Sequence, residues 1–453
     1  MQEEIFELIE GKKYARIREL LSEMNPADIA LILEDVPERE LPVIFRILPK
    51  ELASEVFVEM DSEMQQLLIE AFSDKELREV MNELFMDDTV DIIDEMPASV
   101  AKRILQQTDP KTRRMINQLL AYPDDSAGSI MTTEYVDLKK DMTVDMAFDR
   151  IRKIGVDTET IYTCYVIDQS RHLLGIVSVK DLLLNPKDKL IEEIMDENII
   201  FANTLDDKEE VAGLFEKYDM LALPVVDKEN RLVGIVTVDD AIDVIQEEAT
   251  EDIEKMAAIL PSDKSYFRTG VWATFRSRIP WLMLLRISAT FTGAIISNFE
   301  EKLTVFPALI AFIPMLMDTG GNSGSQSSVT IIRAISLGDV EFKDILKVIW
   351  KEIRVALCCS LALAIINFLK LLTVDYYILH TFDPGKQIPE IAVVCLTLFF
   401  TILVAKLVGC TLPIFAKKIG FDPAVMASPF ITTIVDAISL VIYFRIAIMV
   451  LGI

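Results

Sequence analysis

Over the first 120 positions, apolar residues recur at three- and four-residue spacing in short runs, each opened by a capping residue and an acid-rich turn. Pro26-Ala-Asp-Ile-Ala-Leu-Ile-Leu and Asp61-Ser-Glu-Met-Gln-Gln-Leu-Leu are two of them. Prolines at 26, 37, 42, 49, 97 and 110 punctuate these runs, and proline is tolerated at a helix start but not in its interior. The pattern predicts an all-α, superhelical stack of short helices over 1–126.

The period then changes. His172-Leu-Leu-Gly-Ile-Val-Ser-Val-Lys-Asp returns 59 residues later as Arg231-Leu-Val-Gly-Ile-Val-Thr-Val-Asp-Asp. Upstream, Ile130-Met-Thr matches Ile194-Met-Asp, and Tyr165-Val-Ile-Asp matches Pro224-Val-Val-Asp. Each copy reads as helix, strand, turn, strand, helix, with Gly175 and Gly234 at the hairpin. The duplication resembles a pair of CBS domains, an α/β tandem over 127–248.

A connecting helix follows, assigned to 249–270, and the helical pattern over 239–260 is strongly acidic. Acids at 240, 243, 247, 251 and 254 recur at helical spacing, so one face is a carboxylate stripe. Like charges at that spacing destabilise a helix, and a positive partner is expected. From 271 onward five apolar runs appear, at 279–299, 303–335, 353–374, 388–415 and 423–453. About 20 residues at ~1.5 Å each cross a ~30 Å hydrocarbon core, so 271–453 reads as a five-helix all-α transmembrane domain in a lipid bilayer.

Charge sharpens the division. The 453 residues carry a formal net charge of −27. Residues 265–453 hold 12 acids and 16 bases, a net of +4, so residues 1–264 hold a net of −31. Such a surface repels phosphate and excludes a nucleic-acid partner; it points to cations. Arg268, Arg276 and Arg278 precede the first run, Arg333, Lys343, Lys347, Lys351 and Arg354 lie between the second and third or at their facing ends, and Lys417 and Lys418 between the fourth and fifth. By the positive-inside rule the acidic part is cytoplasmic and the C-terminus outside the cell membrane. The five cysteines form no CxxC pair, which argues against a disulfide scaffold or a cysteine zinc site. No phosphate-binding Gly-Lys-Ser/Thr loop, nucleophile–base pair or metal-hydrolase motif suggests an enzyme.

The chemistry sits in the apolar runs. Asp318-Thr-Gly-Gly-Asn-Ser-Gly-Ser-Gln is small and polar where a lipid-facing helix is apolar, a composition tolerated in protein or along a watery path. Asp436 lies thirteen residues past Pro423, near mid-membrane. A carboxylate there costs about 2.5–3.5 kcal/mol on insertion scales and marks a functional position. In this reading Asp436 is the one costly acid of an otherwise nearly neutral membrane half.

The order of acidic helical domain, CBS pair, acidic helix and five spans, with G-G-N-x-G-x-Q in the second span and D-P-A…P-x-x-T-x-x-x-D in the fifth, resembles the MgtE family of magnesium channels. The resemblance implies a homodimer with its ion path on the dimer axis, Asp436 at the selective site and Gly321 lining the path. Asn322, Ser325, Ser428 and Thr432 would hold the water shell of Mg²⁺, an ion that dehydrates reluctantly. Ser428 and Ser439 depart from the residues common in relatives. Asp318 reads either as a second carboxylate near the path or as a helix cap.

Regulatory Mg²⁺ is implied at Asp87 and Asp91 of the helical domain, at Asp207, Glu209 and Asp219 of the second CBS copy, at Asp240, Asp243 and Glu251 of the connecting helix, and at Asp422. Filling them would close the pore when the ion is plentiful. CBS folds also hold adenine nucleotides; for ATP the corresponding residues are Ser178 with Asp181 and Thr237 with Asp240. Two alternatives stay open on the sequence: a membrane-anchored, nucleotide-sensing CBS regulator, and a Na⁺- or H⁺-coupled divalent-cation carrier with Asp436 as a protonatable relay.

Overall fold

The computed structural model describes residues 2–262, 266, 269–303, 306–378, 387–426 and 428–452. It divides into two compact units, Met1–Gln246 and Glu247–Ile453.

The first unit begins with ten short helices, from Gln2–Glu10 to Pro110–Leu119. Their starts are set locally. Asn25 accepts from the Ala27 amide and Asp61 from the Met64 amide, Ser73 and Glu76 form a reciprocal capping box, and Pro26 and Pro110 open helices. Each helix buries one stripe, and residues such as Ile17, Leu21, Ile29, Phe57, Leu68 and Ile104 join one core. That core runs on through Met131, Leu223, Val236 and Ala241, so the helical stack and the second CBS copy share their interior.

Each repeat folds as a three-stranded sheet. Tyr135–Leu138 pairs parallel with Thr160–Ile167, which pairs antiparallel with Leu173–Ser178. Ala202–Asn203, Ala222–Val226 and Leu232–Thr237 repeat that order. The copies join reciprocally: the Leu173 amide donates to the Asn230 carbonyl (3.2 Å) and the Leu232 amide to the Arg171 carbonyl (2.9 Å). One expectation fails here. Gly175 and Gly234 lie inside the second strand of each hairpin, paired with Val166 and Val225, not in the turn. They are glycines because a Cβ would meet Met195 Sδ at 2.9 Å and Met131 Sδ at 2.7 Å.

The helix after the second sheet, Val238–Met256, ends earlier than the connecting segment read from the sequence. In the second unit the long helices are Val271–Leu303, Ile313–Ser336, Ile345–Lys370 with a π-helical extension Leu371–Ile378, Ile388–Lys418 and Ser428–Leu451. Among the described residues four stretches are long and apolar enough to cross a membrane: Val271–Phe299, Phe342–Tyr376, Ile388–Lys418 and Pro423–Leu451. Ile313–Ser336 is not among them, because Gly, Ser, Thr, Asn and Gln dilute its apolar content.

That Gly-rich helix packs closely on its neighbours. A Cβ at Gly321 would stand 2.8 Å from Thr432 Cγ2, one at Gly320 2.7 Å from Thr401 Cγ2, and one at Gly409 would fall on the Gly324 carbonyl. Small residues on both sides let the backbones touch.

Candidate functional site

The Gly-rich helix has two unlike faces. Leu316, Gly320, Gly324, Ser327, Ile331 and Ile335 turn into the bundle. Asp318 and Asn322 are exposed and Ser325 half-buried, one above another on a different side. From the last helix, Thr432 touches Gly321, and Asp436 lies one turn further on the same face. Asp436 Oδ1 is buried without a hydrogen-bond partner, and Asp318 is near enough for the two carboxylates to repel. The structure thus brings together Asp318, Gly321, Thr432 and Asp436, with Asn322 and Ser325 along the same helix; the Ser428 side chain lies outside the described residues.

Asp436 is not the only acid held in this unit. Glu352, Asp375, Glu390 and Lys406 are all more than nine-tenths buried, which corrects the expectation of a single costly charge. The expectation weighed net charge, and a buried acid and base cancel in that sum.

In the first unit a second acidic group assembles where the helix Met86–Glu95 meets the CBS pair. Glu134 accepts a hydrogen bond from the Met86 amide at 3.0 Å. Asp87 is 6% exposed, and burial followed by the charge of Asp240 pushes its carboxyl well above the usual range. Burial and the nearby Asp240, Asp239 and Glu134 lift Asp88 to about 7. Burial and the charge of Asp88 lift Glu159 to about 8, and its Oε2 is buried without a partner. Burial lifts Asp240 to about 6, against a hydrogen bond from Thr237. Asp243 is raised too, by burial and Asp239. Of the two helical-domain acids read from the sequence, Asp87 joins this group while Asp91 is exposed. Asp88, Glu134, Glu159 and Asp239 were missed; their signal is strand-edge and helix-start position, which only the packing reveals.

Asp207 and Asp219 do not converge. Asp207 caps the helix Lys208–Tyr218 at its start, accepting from the Glu209 amide, and Asp219 ends it in the left-handed region at φ 51°. They stand twelve positions apart, about 18 Å along a helix, so the two cannot share an ion. Ser178 and Asp181 form a capping box with Oγ–Oδ2 at 2.5 Å, and Thr237 Oγ1 donates to Asp240 Oδ2 at 2.5 Å. Among the described residues no three His, Cys, Asp or Glu side chains are set to hold a bare metal ion. The clustered carboxylates suit a hydrated cation, since Mg²⁺ keeps several waters and needs one or two protein carboxylates.

In the second unit Lys255 stands between two acids assigned from the sequence, with Nζ 2.6 Å from Glu251 Oε1 and 2.7 Å from Asp422 Oδ2. Burial opposes its charge, yet Asp422 and Glu251 hold the ammonium above the ordinary lysine range. Asp252 bonds Ser336 at 3.3 Å, and Met256 packs on Ile332 and Ala424.

A Gly-rich polar helix and an unpartnered acid among apolar spans, joined in one chain to a CBS pair, define a membrane transport protein with a cytosolic-type regulatory region. The family model for MgtE, a divalent cation transporter, matches residues 313–446, that of the MgtE intracellular N domain 24–125, and that of the CBS domain 127–187 and 191–247. The magnesium transporter MgtE of Thermus thermophilus is 36% identical over 95% of this chain and 94% of its own length. That of Bacillus subtilis is 34% identical over 97% and 95%. The crystal structure of the cytosolic domain of the Mg²⁺ channel MgtE in complex with ATP matches with a TM-score of 0.52 at 35% identity, covering 54% of this chain and all of that one. The chain belongs to the MgtE family, whose members are transporters and not enzymes.

Proposed function

We propose that the protein carries Mg²⁺ across the cell membrane as a homodimer, with the ion path on the dimer axis and closure by Mg²⁺ bound to the cytoplasmic carboxylates. The observation that carries the reading is Asp436. Its Oδ1 is buried without a protein partner beside the polar face of a Gly-rich helix that its own bundle leaves uncovered. Two such faces on a two-fold axis make one polar path, and two Asp436 carboxylates across it repel until a divalent cation lies between them. Asp318, Asn322, Ser325, Ser428 and Thr432 complete the lining.

The Gly-rich helix then serves as the second of five spans, although its hydropathy alone does not select it. The cytoplasmic region is the sensor. Asp87, Asp240 and Asp243, with Asp88 and Glu159, form one group of carboxylates; Glu251 and Asp422 form another; Asp91, Asp207, Glu209 and Asp219 add separate sites. Moving a gate from 1:99 to 99:1 takes about 5.5 kcal/mol of differential binding, which several weak sites supply together. ATP is a second ligand of the CBS pair, at Ser178, Asp181, Thr237 and Asp240, a reading supported by the ATP-bound relative.

The test is growth of a magnesium-auxotrophic strain. Wild type rescues and Asp436→Ala does not; rescue by Asp436→Ala at equal membrane abundance would falsify the assignment.

A further inference from the structure

Three buried polar side chains from three helices meet in the second unit, away from the proposed path. Ser327 of the Gly-rich helix donates to Glu352 Oε2 at 2.7 Å, and Lys406 Nζ donates to the same hydroxyl at 3.3 Å. Ser327 is 3% exposed, Lys406 5% and Glu352 8%. The group is sealed on both sides. One turn away on the same helices, Ile331, Val348 and Cys410 belong to one apolar cluster, and a turn in the other direction Ala356 and Ile402 are fully buried. A charge of each sign is thus held among apolar walls, with one serine hydroxyl bonded to both.

The register explains what the serine adds. Gly324 meets Gly409 backbone to backbone, and a glycine contact is smooth: no side chain fixes how one helix is rotated against the other. The two helices run parallel: Gly320 faces Thr401, Gly324 faces Ala405 and Gly409, and Ile331 and Ile335 cluster with Cys410 and Ile414. Three residues past Gly324 on one and three before Gly409 on the other are Ser327 and Lys406. The lysine side chain therefore runs lengthwise past the glycine contact to reach the serine hydroxyl, and the hydrogen bond fixes the rotation that the glycines leave free. Ser325, two residues from Ser327, lies about 200° around the helix from it, so pinning Ser327 inward sets the aim of the opposite, polar face.

The geometry points to Lys406 and Glu352 as positioning residues that act through Ser327 to fix the rotational setting of the Gly-rich helix, and with it the side chains that meet the ion. The inference rests on the reading that this helix lines the ion path. Lys406 and Glu352 touch no ion; they hold the hydroxyl.

The test uses the full-length chain in proteoliposomes, reading Mg²⁺ uptake against concentration, exclusion of Ca²⁺, and thermal unfolding in detergent. Ser327→Ala keeps both charges and removes only the link. It is expected to unfold within about 2 °C of wild type while maximal uptake falls at least fivefold or Ca²⁺ enters at a rate wild type excludes, and Ser327→Thr is expected to restore both. Lys406→Met and Glu352→Gln each leave one buried charge without its counterpart and should unfold earlier. The double variant Lys406→Met/Glu352→Gln should regain most of the lost melting temperature without regaining transport. Wild-type uptake and selectivity in Ser327→Ala, or transport that returns together with stability in the double variant, overturns the inference by showing an ion pair that serves folding alone. Asp436→Ala in the same assay separates the two readings. If it transports normally, the path assignment fails; if it is inactive while Ser327→Ala is normal, the pin alone fails.

Discussion

Lys255 Nζ lies 2.7 Å from Asp422 Oδ2 and 2.6 Å from Glu251 Oε1, so an ammonium of the acidic helix stands where the assigned carboxylates would hold a divalent ion. The like charges expected to repel along this helix are partly answered from within it. A cation entering here competes with a tethered one.

Lys255→Met removes that competitor. In EDTA, cleavage of the 257–270 segment by a protease is expected to quicken about threefold, matching the loss of partly exposed pairs worth about 0.5–1 kcal/mol. Half-maximal protection should come at lower Mg²⁺ than in wild type, because Glu251 and Asp422 are then free for the ion. An unchanged Mg²⁺ midpoint would separate Lys255 from ion binding.

A methyl group tests the glycine contact. In Gly321→Ala the new Cβ meets Thr432 Cγ2 at 2.8 Å, so the last helix must shift. Overpacking of this kind costs about 1–3 kcal/mol, and uptake should fall at least tenfold. Gly213→Ala is the control: nothing lies within 4 Å of its Cβ, and in a helix interior the change should stabilise by about 0.5–1 kcal/mol. Equal effects at the two sites would refute close packing at Gly321.

The cluster around Asp88 makes stability depend on pH with a definite sign. Asp240, Asp88 and Glu159 titrate at about 6, 7 and 8 in the folded chain, each raised first by burial. Ordinary carboxylates titrate near 4. Between those values the folded chain holds more protons than the unfolded one, so stability falls as pH rises from about 4 to 8 and levels off above. In EDTA the first unit should therefore melt at lower temperature at pH 8 than at pH 5. Millimolar Mg²⁺ should restore more at pH 8 than at pH 5, and Glu159→Gln should flatten the slope. A melting temperature that rises with pH would exclude the burial of these acids.

Nucleotide binding has its own readout. ATP at 100 times its Kd should stabilise by about 2.7 kcal/mol, seen as a higher melting temperature. Thr237→Val, which removes the hydroxyl bonded to Asp240, should weaken the ATP midpoint about tenfold. An unaltered midpoint would place the nucleotide elsewhere.

The parts of the fold that depend on local pattern were legible in the sequence. Pro26 and Pro110 mark helix starts, and the duplicated Gly-Ile-Val motif marks the paired sheets. Asp436 and the Gly-rich run stood out because their chemistry contradicts their apolar surroundings. Lys406 makes the same contradiction, yet it is hidden by the strongly apolar helix around it and by partners 54 and 79 residues away in the chain. Asp87 and Asp91 look like a natural pair at helical spacing, but only the first turn of their helix meets the CBS pair, so Asp88 is drawn in and Asp91 is left exposed. Gly175 and Gly234 read as turn residues because nothing local announces the methionines packed against them.

Lys406 also bears on how the chain is made. A lysine near the middle of a lone helix costs about 2.5–3.5 kcal/mol to place in lipid, which the rest of Ile388–Lys418 must offset until a partner is found. Synthesis runs from the N-terminus, so Ser327 and Glu352 are made before Lys406. The helix that needs the hydroxyl and the carboxylate is made after both, so the order of the chain supplies the partners before the charge that needs them.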